Sequence, residues 1–110
     1  MDISELSVLL AIIVMDYISG LLAAIYEKKL NSAIGRKGIF KKIGIIICVI
    51  FCILLEQSKI PGSEAITPII IIFFIINEGI SILENLKKIN VPIPEQLTKL
   101  FLNENEKNRK

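Results

Sequence analysis

Three long apolar runs, separated by short charged segments, decide what this chain can fold into. The first, Leu6–Tyr26, has twenty-one residues and a single charge, Asp16, at its middle. At 1.5 Å per residue a helix of that length spans roughly 30 Å, the thickness of a bilayer core. The second, Ile43–Leu55, has thirteen uninterrupted apolar or small residues. That alone is short for a span, and the alternative is a buried or re-entrant segment. Lys41 and Lys42 at its edge can snorkel, however, which extends the span to about Ile39 and Ser58. The third, Ala65–Leu86, contains Asn77, Glu78 and Glu84. The expected fold class is an all-α membrane protein with three transmembrane helices, near residues 6–27, 33–57 and 68–89, in one membrane domain covering 1–102. A cleaved signal peptide opens with positive charge and a shorter apolar stretch. Asp2, Glu5 and Asp16 point instead to an uncleaved first helix.

Composition closes off most chemistry. Hydrophobic residues make up 53% of the chain, with twenty-five isoleucines gathered in blocks, whereas soluble domains distribute a smaller apolar share at helix or strand period. Without histidine, imidazole can be neither metal ligand nor general base. Cys48 and Cys52 lie inside an apolar run and lack the spacing of a zinc site or a secreted disulfide framework. No catalysis, cofactor, metal or nucleic-acid partner is expected.

Basic residues set an orientation. Lys28, Lys29, Arg36, Lys37, Lys41 and Lys42 lie between the first and second runs, against the single acid Glu27. Only Lys59 lies between the second and third, with Glu56 and Glu64. Lys87, Lys88, Lys99, Lys107, Arg109 and Lys110 follow the third. An N-out, C-in topology is expected.

Local signals mark the boundaries. Ser32 reads as the N-cap of the second helix, with Gly35 and Gly38 weakening its first turns. Residues 59–63 read as a turn, and Thr67-Pro68 as a cap followed by proline at the first helical position. Asn90 is expected to close the third helix in a left-handed conformation, before Pro92 and Pro94. A short helix at about 94–102 would present Leu97, Leu100 and Phe101 to the membrane surface. Residues 103–110 have no apolar side chain and are expected to be disordered.

Polar side chains within the spans are costly and mark function. Asp16, Ser19, Gly20 and Ala23 form a small, polar stripe on the first helix, opposite Leu10, Ile13, Ile18, Leu21 and Ile25. Gly44, Cys48 and Cys52 form a small-residue packing face on the second, extended by Glu56. Asn77, Ser81, Glu84, Asn85 and Lys88 line one side of the third, with Glu78 beside them. Ile72, Ile75, Ile76, Gly79, Ile82, Leu83 and Leu86 occupy its other side. No basic residue is expected in the membrane core, although Lys41 or Lys42 can approach Glu78. Asp16 and Glu78 then read either as a proton or cation relay, or as hydrogen-bonding groups satisfied between subunits. Three helices offer few neighbours for three polar faces, which favours a homo-oligomer in the lipid bilayer.

Several of these pieces together are distinctive. They are Asp16-Tyr17-Ile18-Ser19-Gly20, then Ser32, Lys37-Gly38 and Lys41-Lys42, the stretch from Asn77 to Asn85, and Asn90-Val91-Pro92-Ile93-Pro94. In this order and spacing the chain resembles, over roughly residues 10–100, the phage holin family that includes clostridial toxin-secretion holins. It departs at Asn90, where relatives often carry glycine, and at Ser19, where threonine is common. The resemblance implies a small protein of the bacterial cytoplasmic membrane that oligomerises and opens large lesions. An endolysin or a large toxin passes through them, and the proton-motive force collapses. A small proton-coupled transporter subunit and an accessory membrane subunit are the competing readings.

Overall fold

The computed structural model describes residues 3–101. It consists of α1 (Ile3–Tyr26), α2 (Ser32–Gln57) and α3 (Ser63–Lys88), followed by a short helix, α4, at residues 95–101. All three long helices are long and apolar enough to cross a membrane, α2 included. The tail expected to be disordered, 103–110, lies outside the described residues.

Each long helix stops on a non-glycine residue in the left-handed region: Lys28 (φ 58°), Lys59 (φ 62°) and Asn90 (φ 66°). After α1 and α3 the chain makes the paired hydrogen bonds of a Schellman motif. The Lys28 N–H donates to Ile25 O at 3.0 Å and the Lys29 N–H to Ala24 O at 2.8 Å. The Asn90 N–H donates to Lys87 O and the Val91 N–H to Leu86 O, both at 3.0 Å. Asn90 thus ends α3 as expected. Its Nδ2 also donates to the Tyr26 hydroxyl at 2.9 Å, joining the ends of α1 and α3.

Both expected helix starts are corrected. Asn31, not Ser32, caps α2: it is extended (φ −150°), and its Oδ1 accepts from the Ile34 N–H at 2.9 Å. Ser32 is already helical. α3 begins at Ser63, so Thr67 is no cap and Pro68 lies inside the helix. The reason is Gly62, whose left-handed φ of 88° turns the chain into a helix directly after the α2 stop. Thr67 is fully buried instead, and its hydroxyl donates across to Cys52 O on α2 at 3.2 Å.

α3 packs closely on both α1 and α2, which barely touch one another. Leu9 and Ile13 of α1, Ile45 and Val49 of α2 and Ile71 of α3 form the apolar core. Ile13, grouped by the sequence with the outward residues, is therefore inward; it sits one turn from Leu9 on the same face. α4 also departs from expectation. Leu97 and Leu100 are exposed, but the Phe101 ring lies so close on Gly79 that a Cβ there would overlap it. The segment folds back along α3, on the face where Ile76 and Leu83 are also buried.

Candidate functional site

Near the middle of the bundle, displaced toward the α1–α2 loop, lies a cluster of buried polar groups. α1 contributes Asp16 and Ser19, α2 contributes Lys42, and α3 contributes Glu78 and Asn85. The Lys42 ammonium donates to Asp16 Oδ2 and to Glu78 Oε2, the latter at 2.6 Å. Asn85 Nδ2 donates to Asp16 Oδ1 at 3.2 Å and to Ser19 Oγ at 3.1 Å. The Ser19 hydroxyl in turn donates to the Asp16 carbonyl at 3.1 Å. Asp16 and Glu78 are only 5% and 3% exposed. One ammonium therefore joins two carboxylates from two other helices. A cluster of this kind is neutral only when it holds one proton beyond its fully charged form.

Small residues bring the helices near enough. A Cβ on Gly20 would lie 3.5 Å from Asn85 Nδ2. A Cβ on Gly38 would lie 3.3 Å from the Tyr17 ring, which lies across the start of α2 with its hydroxyl donating a hydrogen bond to Gly35 O at 3.4 Å. Gly38, which weakens the helix intrinsically, is what admits the Tyr17 ring. A cavity of about 220 Å³ adjoins the cluster, lined by Asp16, Tyr17, Gly20, Lys42, Ser81 and Asn85 among others.

The residues singled out by sequence divide three ways. Asp16, Ser19, Ala23 and Glu78 are buried within the single chain, and Gly20, Ser81 and Asn85 are half-buried beside them. Asn77 and Glu84 are exposed, although the helical wheel placed them with Ser81 and Asn85. On α2, Gly44 is exposed with nothing near it, Cys48 is half-buried and Cys52 is buried, both thiols being free. Lys28, Lys29, Arg36, Lys37 and Lys41 are exposed. Lys42 is the exception and corrects the expectation of a core without a cation: its side chain is 13% exposed and sits between the two acids. The signal for it was present. Lys42 lies three residues before Ile45 and seven before Val49, on the buried face of α2.

The sequence model of the bacteriophage holin family matches residues 3–104, nearly the whole chain. The chain belongs to the bacteriophage holin family. This holin resembles an uncharacterised protein of Clostridium perfringens, with 39% identity covering 91% of this chain and 74% of the relative. A Listeria monocytogenes protein is 46% identical over 86% of this chain and 67% of its own length. A "probable holin" of Bacillus phage phi105 is 30% identical over 88% of this chain and 71% of its own. No solved structure matches. Family and spans together make this holin a multi-pass protein of the cytoplasmic membrane.

Proposed function

We propose that this holin accumulates in the bacterial cytoplasmic membrane, associates with itself and opens lesions through which an endolysin or a large toxin leaves the cell. The observation that carries the reading is the family match over all three helices and the short helix that follows them. The chain acts by concentration-dependent assembly and catalyses nothing. Its charge bias supports an N-out, C-in topology, so that the basic α1–α2 loop and the tail lie in the cytoplasm. Single cysteines at Glu64 and Lys107, in a background with Cys48 and Cys52 replaced by alanine, test this. External labelling at position 107 with protection at 64 would overturn the topology.

The buried Asp16–Lys42–Glu78 cluster gives one alternative its support, because a proton-coupled transport subunit also needs an intramembrane carboxylate. Controlled expression separates the two. The lytic reading requires an abrupt stop in growth and escape of a cytoplasmic reporter enzyme of protein size. Passage of small solutes alone, with the enzyme retained, would reject it.

A further inference from the structure

Asn77 faces the wrong surroundings for its chemistry. Across residues 8–25, 43–54 and 65–83 the exposed side chains are apolar, apart from that of Asn77. Its carboxamide has two donors and a carbonyl acceptor, and it has no hydrogen-bond partner among the described residues. Lipid tails offer none. Asn77 also lines a groove of about 320 Å³ between α2 and α3, together with Lys41, Ile45, Phe73 and Ser81. Glu78 lines the same groove, and its Oε1 is buried without a hydrogen-bond partner. Two polar groups in want of partners therefore share one groove. The contrast is with the cleft between α1 and α2, whose lining of Leu6, Leu9, Ile13, Ile46 and Val49 is apolar throughout and suits an acyl chain.

What fills the α2–α3 groove follows from membrane geometry. Copies of one chain insert with the same orientation, so each residue meets only residues at its own depth on a neighbouring copy. At the depth of Asn77 a second copy offers two exposed polar side chains, Asn77 itself and Lys41, and of these only the carboxamide both donates and accepts. A carboxamide is complementary to its own kind, donor to acceptor, and a two-fold axis along the bilayer normal sets identical residues face to face. We propose that α3 pairs with α3 of a second copy, with the Asn77 carboxamides hydrogen-bonded across the contact and the spare N–H supplying the donor that Glu78 Oε1 lacks. Ile66, Ile69 and Phe73, exposed on the same helix, provide the apolar flanks. This rests on the reading that the chain associates with itself, and it names the surface.

The test uses the full chain in membranes, with Cys48 and Cys52 replaced by alanine. Phe73→Cys, one turn from Asn77, is compared with Met15→Cys on the exposed face of α1. Oxidation should link Phe73→Cys chains into dimers and leave Met15→Cys chains monomeric. Adding Asn77→Leu, which makes the span more apolar and leaves insertion intact, should lower the Phe73 cross-link on the order of tenfold. Asn77→Gln should retain most of it. Equal cross-linking at the two cysteines, or no effect of Asn77→Leu, would overturn the proposal. Cross-linking is read before any lysis, so the two readings fail separately. A chain that cross-links at Phe73 and never lyses rejects the lytic function and keeps the interface. One that lyses normally without the Asn77-dependent link does the reverse.

Discussion

The two halves of the bundle are held together by different forces. Away from the basic end, Leu9, Ile13, Val49 and Ile71 pack as an apolar core, and Thr67 donates a hydrogen bond across to Cys52 O. Toward the basic end, Lys42, Asp16, Glu78, Ser19 and Asn85 tie all three helices with short polar contacts. In water the first half would be the stronger. In a bilayer it is not, because lipid tails are as apolar as leucine and exchanging one for the other gains little beyond packing. A charge has no such substitute in hydrocarbon. Rearranging the helices is therefore cheap in the apolar half and costly through the ion cluster, which acts as the anchor.

The sharpest way to break this contrast is Lys42→Met. It leaves two carboxylates buried without their cation, a loss of about 3–5 kcal/mol where buried ion pairs have been broken elsewhere. We expect the variant to lose helix association in detergent micelles, read as unfolding at much lower denaturant or as rapid proteolysis. Lys41→Met, one residue away and exposed, should behave as wild type. Unfolding of Lys42→Met at the wild-type midpoint would remove the cluster's role as anchor.

Next in size is Gly20→Leu. A Cβ on Gly20 would already touch the Asn85 amide, so the rest of a leucine side chain must displace Asn85 or fill the adjoining cavity, and overpacking of this kind costs about 1–3 kcal/mol. Leu21→Ile conserves volume and should cost less. Equal losses in the same unfolding assay would show that the α1–α3 seam does not depend on close approach.

The spans, the stripe holding Asp16 and Ser19, and the stop at Asn90 were all legible in the sequence, because each depends on residues within one helix. What escaped depends on rotation or on distant chain. Lys41 and Lys42 look alike in a row; only the 100° between them, fixed once Ile45 and Val49 are known to face inward, sends one to water and the other to Asp16. Thr67-Pro68 carries a cap signature, but Gly62 had already started the helix, freeing Thr67 to bond α2. The burial of Gly79 depends on Phe101 returning from twenty-two residues downstream, which no local pattern encodes.

A smaller effect tests the apolar half. Thr67→Val keeps the shape and removes the hydroxyl that donates to Cys52 O. Interhelical hydrogen bonds in membrane proteins average about 0.6 kcal/mol, so the unfolding midpoint should fall only slightly. A loss as large as that of Lys42→Met would mean that the outer half is also held by polar contacts and that the contrast between the halves is false.

Smallest for the resting bundle is Glu78→Gln, and it is the most informative about opening. Glutamine preserves the size, and its carbonyl can still accept from Lys42. The substitution also leaves one ammonium facing one carboxylate, a balanced pair in low dielectric. We therefore expect normal insertion, unfolding close to wild type and an α3–α3 association only slightly weakened, since the glutamine NH2 takes the place of the Oε1 acceptor while the Asn77 pair remains. Opening is a different matter. In a lesion that admits water the wild-type carboxylate can ionise freely, and whatever free energy that releases favours the open state; glutamine has nothing to release. Lysis should be delayed or abolished at matched membrane levels, with leakage of a protein-sized reporter delayed in parallel. A Glu78→Gln chain that opens on the wild-type schedule would show that charge at this position plays no part in opening, leaving the carboxylate as a packing element of the α2–α3 contact.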